Sequence, residues 1–178
     1  GNALAAALAV ASADTAHTSI NARKRIAAGL RTVPPLAHRL ETVSDAGGVM
    51  WVNDSKATNV AAAKVGIAAM TRPTVLLLGG RHAGEPYTEL ADPIRKRCKA
   101  VLAYGESADL IQHDLSGVVP VLRLTGRFSD VVARARELAA PGDCVLLSPA
   151  CKSFDMFTDY EDRGRTFAKL VNEADGRR

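Results

Sequence analysis

The regular alternation of short apolar runs with helical patterns is the feature of this sequence that most constrains its fold. The continuously apolar runs Val75–Leu78 and Cys144–Leu147 are typical of strands that are covered on both faces. The sequence therefore predicts an α/β fold, a Rossmann-like, mostly parallel sheet of about six strands flanked by helices. The predicted strands are 40–44 and 49–53, which form a hairpin, 74–78, 100–104, 119–124 and 143–147, and the predicted helices are 59–71, one through Leu90, Ile94 and Cys98, 107–114, 127–139 and 160–174.

Paired prolines at positions 34 and 35 mark a boundary between two parts of the chain. Two helices are predicted before them, one over residues 2–13 and one that Thr18 or Ser19 opens. Prolines lack a backbone donor and push the preceding residue towards an extended conformation, so the second helix cannot continue through them. The two predicted units are residues 1–35 and 36–178.

Composition and charge exclude several classes of protein. No uninterrupted apolar run reaches the roughly 20 residues of a membrane span, and the alanine-rich start lacks the basic region of a signal peptide. The three cysteines are an odd number without C-x-x-C spacing, which predicts neither a disulfide framework nor a zinc site. A net charge of +4 suits anionic small molecules, while the few aromatic residues argue against nucleic acid. We therefore expect a cytoplasmic protein that binds neither membranes nor nucleic acid.

A dense polar loop follows the predicted strand 49–53 and leads directly into a helix. Residues 54–59 offer a carboxylate, hydroxyls and an ammonium group, and Thr58 or Asn59 can cap the helix. In open α/β sheets ligands collect where strand ends meet helix N-termini, whose free N–H groups favour anions. We interpret this segment as a binding loop, in which Asp54 holds Mg²⁺ or a nucleotide hydroxyl, or merely caps the following turn.

Three further loops are predicted to share this edge of the sheet. Parallel strands point their carboxyl ends the same way, so the loops that follow them should meet. Their glycines permit close approach of a ligand, and their Ser and Lys side chains supply donors for an anion. Ordinary surface turns are the alternative, which composition alone favours. The three loops are Gly79–Pro86, Gly105–Ser107 and Ser148–Ser153.

Isolated histidines and one cysteine do not define a reactive centre. His38 and His82 stand too far from other ligand types to indicate a metal site. Cys151 beside Lys152 is an activated thiol only if a general base is near, and none is identifiable, so a packed, unreactive cysteine is favoured. From the residues themselves, the sequence indicates an α/β domain with an anion-binding edge.

Three motifs resemble those of the Mur ligase family, and the resemblance covers nearly the whole chain. The motif Asn53–Asn59 is the most specific of the three, because sibling ligases for other amino acids carry different residues in this loop. Ala37–Glu41 resembles the step between the central and C-terminal domains of that family, and Asn2–Ala6 resembles a late segment of its central ATPase domain. Residues 1–35 would then be helices of the central domain, and 36–178 the amino-acid-binding domain. The three motifs are Asn53–Asn59, Leu77–Gly80 and Leu147–Asp155.

The resemblance implies ATP-dependent amide formation in peptidoglycan synthesis. The carboxylate of UDP-N-acetylmuramoyl-L-alanine would be phosphorylated to an acyl phosphate, which the amine of D-glutamate then attacks. Neutralisation of charge is the main demand of such chemistry. ATP and Mg²⁺ would be the cofactors, with the metal ligands mainly in a preceding domain. We therefore expect the 178 residues alone to be inactive and the whole enzyme to be a monomer.

The same resemblance implies roles for particular residues. One position departs from the family, because Ala83 stands where members usually place a lysine that binds a carboxylate of D-glutamate. Arg81 or His82 is expected to substitute for it. By motif, Lys56 and His38 would lie close to the transferring phosphate, Asn2, Arg39 and Asp54 would contact ATP, and Thr58, Ser153, Phe154 and Tyr160 would line the D-glutamate pocket.

Two alternatives stay open at this point. The first is another amino-acid ligase of the superfamily, either a sibling Mur ligase or a folylpolyglutamate synthase. The second is a non-catalytic Rossmann-like module that binds an anionic ligand or a protein partner.

Overall fold

The computed structural model describes residues 19–32 and 36–176, which fall into two compact units divided between Leu36 and Ala37. The first unit contains the described helix α1 (Ile20–Thr32). The Ser19 hydroxyl accepts a hydrogen bond from the Ala22 N–H at 3.2 Å, as expected for a residue that caps the helix. The predicted helix 2–13 lies outside the described residues.

The second unit alternates strands with helices in the predicted order. Two short 3-10 helices, Ala46–Gly48 and Tyr87–Leu90, complete it. The other elements are β1 (Glu41–Ser44), β2 (Met50–Asn53), α2 (Val60–Ala68), β3 (Thr74–Gly79), α3 (Ala91–Arg97), β4 (Cys98–Tyr104), α4 (Ala108–Asp114), β5 (Val121–Arg123), α5 (Phe128–Leu138), β6 (Cys144–Leu147) and α6 (Tyr160–Ala174).

The six strands form one sheet in the order β1-β2-β6-β3-β4-β5. Strand β1 is antiparallel to β2, which confirms the predicted hairpin, and all other pairs are parallel. Every residue of β3 and β6 is buried, because helices cover both faces of the sheet. The predicted α/β fold is therefore confirmed.

Alternate residues of the central strands face two separate cores. Leu76 and Leu78 of β3 belong to a core with residues of α2, α3 and α4. Val75 and Leu77 belong to a second core with residues of α5 and α6. Successive side chains of a strand point to opposite faces, so one apolar strand supplies both layers. The helices that carry these layers bring their ends to the two edges of the sheet.

Several boundaries differ from the sequence prediction, and the predicted helix 59–71 already ends at Ala68. The predicted helix through Cys98 ends at Arg97, because Cys98 is extended and pairs with Thr74 in the sheet. A register irregularity beside Thr74 lets β4 begin two residues before the predicted start. Strand β5 is shorter than predicted, since Pro120 lacks the N–H that would extend the ladder. Local apolar pattern therefore located these elements but not their ends.

Three features of the structure concern the disulfide-rich, metal-binding and membrane-spanning classes of protein considered in the sequence analysis. The three cysteines are buried free thiols. Within the described ranges no group of three or more His, Cys, Asp and Glu side chains is arranged to hold a metal ion. None of the helices described for this chain has both the length and the apolar character needed to cross a membrane.

The turn before β6 is held by the nearly buried carboxylate of Asp143. Its Oδ2 accepts hydrogen bonds from Lys99 Nζ at 2.5 Å and from the Ala140 N–H at 2.7 Å. Burial by itself would raise the pKa of Asp143, but the hydrogen bonds and the charge of Lys99 hold it below the ordinary value. The folded state therefore favours the charged form of this side chain.

Asp143→Asn is expected to lower the free energy of unfolding by about 1–3 kcal/mol at pH 7, because a charge-assisted pair is lost. A carboxyl whose pKa is lower in the folded state stabilises the fold above its unfolded pKa, and this contribution disappears as the pH falls through the folded pKa. The difference between the two proteins should therefore shrink below pH 3.8. Urea denaturation at pH 7 and at lower pH measures both effects. Asp92→Asn, at an exposed surface pair, is the control, and a difference that does not change with pH would contradict the assignment.

Candidate functional site

Four loops meet at the carboxyl edge of the sheet, as the sequence predicted. The Asp54 N–H donates to the Leu147 carbonyl at 2.8 Å, and the Gly80 N–H donates to the Tyr104 carbonyl at 3.2 Å. Arg81 and Lys152 exchange two backbone hydrogen bonds, at 2.8 and 3.0 Å. The polar residues that follow β2, β3, β4 and β6 therefore lie side by side. We call the edge formed by residues 53–59, 79–86, 105–107 and 148–155 the rim.

Asp54 is buried within the rim, with 5 % of its surface exposed. Its Oδ1 accepts from the Leu40 N–H at 3.3 Å and its Oδ2 from the Ser148 hydroxyl at 2.8 Å. A Cβ on Gly66 of α2 would collide with this carboxylate, so helix and carboxylate are in direct contact. Burial raises the pKa of Asp54, and the two hydrogen bonds and the charge of Arg39 oppose that rise. Asp54 thus connects three segments of the chain.

The backbone of Asp54 also takes part in the turn that follows it, where the sequence analysis placed one possible role for this residue. Its carbonyl accepts from the Ala57 N–H at 2.9 Å. Helix α2 begins at Val60. Its N-cap is Asn59, whose Oδ1 accepts a hydrogen bond from the Ala62 N–H at 2.8 Å. A second carboxylate completes this helix start, because Glu85 Oε2 accepts from the Val60 N–H at 2.6 Å. The helix N-terminus proposed to face an anion is therefore capped by two side chains of the protein.

Lys56 is held on Tyr160, the first residue of α6. Its Nζ donates to the Tyr160 hydroxyl at 3.0 Å and lies 4.6 Å from the centre of the ring. Its backbone N–H donates to the His38 carbonyl at 3.0 Å. The fold thus brings together three of the residues that sequence reasoning selected, from three separate segments.

His38 has a fixed orientation and a definable tautomer. The Asn53 Nδ2 lies 3.0 Å from His38 Nδ1 and also donates to the Gly164 carbonyl at 3.2 Å, while the Asn53 Oδ1 accepts from the Ser55 N–H. Asn53 therefore presents its donor to the imidazole, so Nδ1 accepts and neutral His38 carries its proton on Nε2. The ring also packs on Gly164, where a Cβ would lie 2.9 Å from His38 Cε1.

Arg81 lies on the rim, but its guanidinium already binds a carboxylate. Its Nε and Nη2 donate to the two oxygens of Glu106 at 3.0 and 2.9 Å. The Arg81 side chain is 48 % exposed, so the pair is open to solvent. The hydrogen bond and charge of Arg81 hold the pKa of Glu106 below its ordinary value. The Glu106 pair shows that the Arg81 guanidinium can bind a carboxylate through a bidentate contact.

The remaining selected residues differ in exposure. Ser153 is buried and Phe154 is exposed, although they are neighbours. Thr58 is half-buried, and its N–H donates to the Lys56 carbonyl at 3.0 Å. Arg39 is exposed and close enough to Asp54 to lower the pKa of that carboxyl. Asn2 lies outside the described residues.

Cys151 is fully buried and surrounded by hydroxyl groups. Its Sγ lies 2.9 Å from the Tyr87 hydroxyl, which lies 3.1 Å from His82 Nδ1. Burial raises the pKa of the Cys151 thiol, although hydrogen bonds to Tyr87 and Ser107 act in the other direction. A thiol with a raised pKa is a poor nucleophile at neutral pH. The interpretation of Cys151 as a packed cysteine is confirmed.

A buried arginine beneath the rim escaped sequence reasoning. Arg163 of α6 is fully buried, and its Nε donates to the Ser55 hydroxyl at 2.9 Å. Its two terminal nitrogens donate to the carbonyls of Ser55 and Cys151 at 2.9 and 3.1 Å. One signal was available, since Arg163 lies four and eight residues before the buried Phe167 and Val171. A charged side chain in the apolar stripe of an amphipathic helix becomes buried, so it needs hydrogen-bond acceptors or an opposite charge inside the protein.

Fold and rim together define a mostly parallel α/β domain whose polar loops meet at the carboxyl ends of its strands, the place where such folds bind ligands. Residues 38–151 match the family model of the Mur ligase glutamate ligase domain. The chain belongs to the Mur ligase family.

Curated relatives narrow the comparison within that family. The UDP-N-acetylmuramoylalanine–D-glutamate ligase of Salinibacter ruber is 46 % identical over 143 residues, which cover 80 % of this chain and 30 % of the relative. The ligase of the same name from Myxococcus xanthus is 44 % identical over 170 residues, covering 96 % and 36 %. The chain thus spans about a third of the length of these relatives.

Solved structures share the fold at low sequence identity. A pseudomurein peptide ligase type C from Methanothermus fervidus has a TM-score of 0.64 at 15 % identity, covering 97 % of this chain and 35 % of that one. The UDP-N-acetylmuramate–alanine ligase of Thermotoga maritima has a TM-score of 0.60 at 12 % identity, covering 94 % and 37 %. E. coli FolC in complex with ADP has a TM-score of 0.54 at 18 % identity, covering 89 % and 35 %.

Proposed function

We propose that this chain is the C-terminal part of an ATP-dependent ligase that adds D-glutamate to UDP-N-acetylmuramoyl-L-alanine. The product is a peptidoglycan precursor, and the reaction passes through an acyl phosphate. Residues 36–178 are the amino-acid-binding domain in this proposal, and 1–35 belong to the central ATPase domain. The enzyme works as a monomer in the cytoplasm, where the three cysteines stay reduced.

The observation that carries the proposal is that Lys56 of the rim contacts both His38 and Tyr160, which lie next to the rim. Two relatives named for D-glutamate addition are 44–46 % identical to this chain. The selected residues come from three segments distant in sequence, and hydrogen bonds fix their positions. The ammonium group of Lys56 provides positive charge for phosphoryl transfer, and the neutral imidazole of His38 provides a hydrogen-bond donor.

Each residue selected from the sequence has a role in this proposal. The ammonium group of Lys56 neutralises charge on the transferring phosphate and on the tetrahedral intermediate, and the Nε2–H of His38 donates a hydrogen bond to the same oxygens. Arg39 contacts ATP, and Asp54 fixes the loop that faces the nucleotide. Asn2 is assigned to ATP by the motif. The D-glutamate pocket is lined by Thr58, Ser153, Phe154, Tyr160 and Arg81.

Mg²⁺ is assigned to the rest of the enzyme. Both carboxylate oxygens of Asp54 already accept hydrogen bonds from the protein, and the described ranges hold no group of three or more His, Cys, Asp and Glu side chains arranged to bind a metal ion. The rim therefore supplies cations and hydrogen-bond donors to an anionic substrate, while the metal neutralises phosphate charge from another domain when it is bound.

Arg81 replaces the usual pocket lysine in this proposal. Its guanidinium binds Glu106 through two parallel hydrogen bonds, and a carboxylate of D-glutamate fits the same fork. The exposed Arg81–Glu106 pair contributes little to stability, so a substrate can exchange with Glu106 at low cost. His82 is a less suitable substitute, because its Nδ1 faces the Tyr87 hydroxyl.

A panel of amino acids with the full-length enzyme tests the reaction. ADP release that requires UDP-N-acetylmuramoyl-L-alanine is expected with D-glutamate and not with L-glutamate, L-lysine or meso-diaminopimelate. A folylpolyglutamate synthase would instead use L-glutamate with a folate acceptor. The absence of ADP release with every amino acid would point to the non-catalytic module.

Arg81→Ala in the same enzyme tests the carboxylate contact. We expect the KM for D-glutamate to rise about tenfold or more, because a two-point charged contact is lost. Arg95→Ala, at an exposed pair on α3, is the matched control and should leave this KM unchanged. An unchanged KM in Arg81→Ala would show that another group binds the carboxylate.

A further inference from the structure

Arg163 is a fully buried cation whose hydrogen-bond partners are all uncharged. Among the described residues, no carboxylate forms a hydrogen bond or ion pair with its guanidinium. Burial of a charge is costly unless hydrogen bonds compensate for it, and an apolar residue of similar volume is often at least as stabilising. The position of an arginine here therefore needs a reason other than stability.

The guanidinium joins two loops that carry selected residues. On one side it binds the hydroxyl and the carbonyl of Ser55, the residue before Lys56. On the other side it binds the carbonyl of Cys151, two residues before Ser153. Because the guanidinium is planar and rigid, these bonds help to fix the distance between the two loops, together with the hydrogen bond from the Ser148 hydroxyl to Asp54.

The same contacts extend to Tyr160 and to a third loop. The Ser55 hydroxyl that accepts from Arg163 donates to the Tyr160 carbonyl at 2.7 Å. The Tyr160 hydroxyl in turn accepts from Lys56. A Cβ on Gly80 would lie 3.3 Å from Arg163 Nη1, so the loop after β3 packs on the guanidinium too. Arg163 thus donates to the backbone of two rim loops and lies close to a third.

We propose that Arg163 is a positioning residue for the D-glutamate pocket, since it joins the loop of Lys56 to the loop of Ser153 without contacting the substrate. This inference rests on the proposed function, because it names the amino-acid pocket as the element that Arg163 positions. Lysine at this position would keep the charge but could not bind three acceptors in one plane.

Arg136 of α5 provides a matched control. Its Nη1 donates to Asp175 at 2.7 Å, its Nη2 donates to the Val171 carbonyl at 3.1 Å, and its guanidinium lies 4.6 Å from the ring centre of Trp51. It therefore holds α6 by a comparable set of contacts, but Trp51 and Val171 lie away from the rim loops. Arg136→Lys should disturb the packing of α6 without affecting the pocket.

The experiment compares Arg163→Lys and Arg136→Lys in the full-length enzyme. We expect Arg163→Lys to raise the KM for D-glutamate about tenfold or more, with a smaller change in kcat. Amide hydrogen exchange in residues 54–58 and 151–155 should become faster in this variant. Arg136→Lys should lower the melting temperature and leave both the KM and the exchange in these segments unchanged.

Ser55→Ala is a second variant that keeps the arginine. It removes the hydroxyl that connects Arg163 to Tyr160, so it should raise the same KM by a smaller factor. It is the deciding variant if Arg163→Lys does not fold.

Two outcomes separate the inference from the proposed function. If Arg163→Lys and Ser55→Ala lower the melting temperature while the KM and the exchange rates stay at wild-type values, Arg163 is only structural and the inference is wrong. If the wild-type enzyme does not use D-glutamate, the proposed function fails. Faster exchange confined to the two rim segments in Arg163→Lys would then still support the positioning role, and unchanged exchange would overturn it.

Discussion

Gly79→Ala is expected to lower the free energy of unfolding by about 4 kcal/mol or more, a large part of the roughly 5–15 kcal/mol that stabilises a typical native protein. Gly79 is the last residue of β3 and has a φ of +153°, which L side chains rarely adopt. A Cβ here would collide with the carbonyl of Tyr104 and lie 2.8 Å from its carbon. The neighbour is the backbone of β4, so relief requires β3 and β4 to separate at the centre of the sheet.

Denaturant unfolding, followed by circular dichroism, measures the effect. Gly84→Ala is the matched control, because Gly84 also has a positive φ, +98°, but no atom lies within 4 Å of its Cβ position. This control should cost about 1–2 kcal/mol from backbone strain alone. Equal losses in the two variants would show that strain, and not the contact with Tyr104, explains why glycine ends β3.

Lys56→Met in the full-length enzyme is expected to reduce kcat about 100- to 1000-fold, the cost of removing one group that stabilises charge in a transition state. Methionine keeps an unbranched side chain that can pack against the Tyr160 ring, while the ammonium group is lost. The loss should appear mainly in kcat, because the charge that Lys56 is proposed to neutralise develops during phosphoryl transfer and amine attack.

Steady-state kinetics with all three substrates and a melting curve measure this prediction. Lys64→Met is the control, since Lys64 is an exposed lysine on α2, outside the rim. It should leave kcat and the melting temperature unchanged. If Lys56→Met keeps kcat within a factor of a few of wild type, Lys56 does not act on the transferring phosphate.

Several of the charged groups and hydrogen-bond donors that the sequence analysis considered available to a ligand are bonded to other groups of the protein. Glu85 caps α2 through the Val60 N–H, and Glu106 binds Arg81. Asp54, selected as a contact to ATP, is satisfied inside the protein by Leu40 and Ser148. In the proposed reaction, bound substrates therefore either exchange with these internal carboxylates or use the remaining donors, foremost Lys56 and His38.

The sequence by itself determined the layers of the fold and the edge at which polar loops meet. Apolar runs such as Val75–Leu78 specify buried strands because side-chain direction alternates along a strand, which is a local property. The capping of α2 was also visible as a choice between Thr58 and Asn59, since a cap depends on residues within one turn, and the structure assigns it to Asn59. The order of the strands and the exact ends of β4 and β5 were not, because pairing depends on partners distant in sequence.

Only the tertiary structure decided how the rim is held. The tautomer of His38 follows from Asn53, and the orientation of Asn53 follows from Gly164, 111 residues away. Arg163 reaches Ser55 across 108 residues, and Asp54 reaches Ser148 across 94. Periodicity and propensity describe neighbours along the chain, whereas a hydrogen bond between distant segments depends on how the whole sheet is assembled. The sequence could therefore indicate which side chains belong to the rim, and only the fold shows which of them position the others.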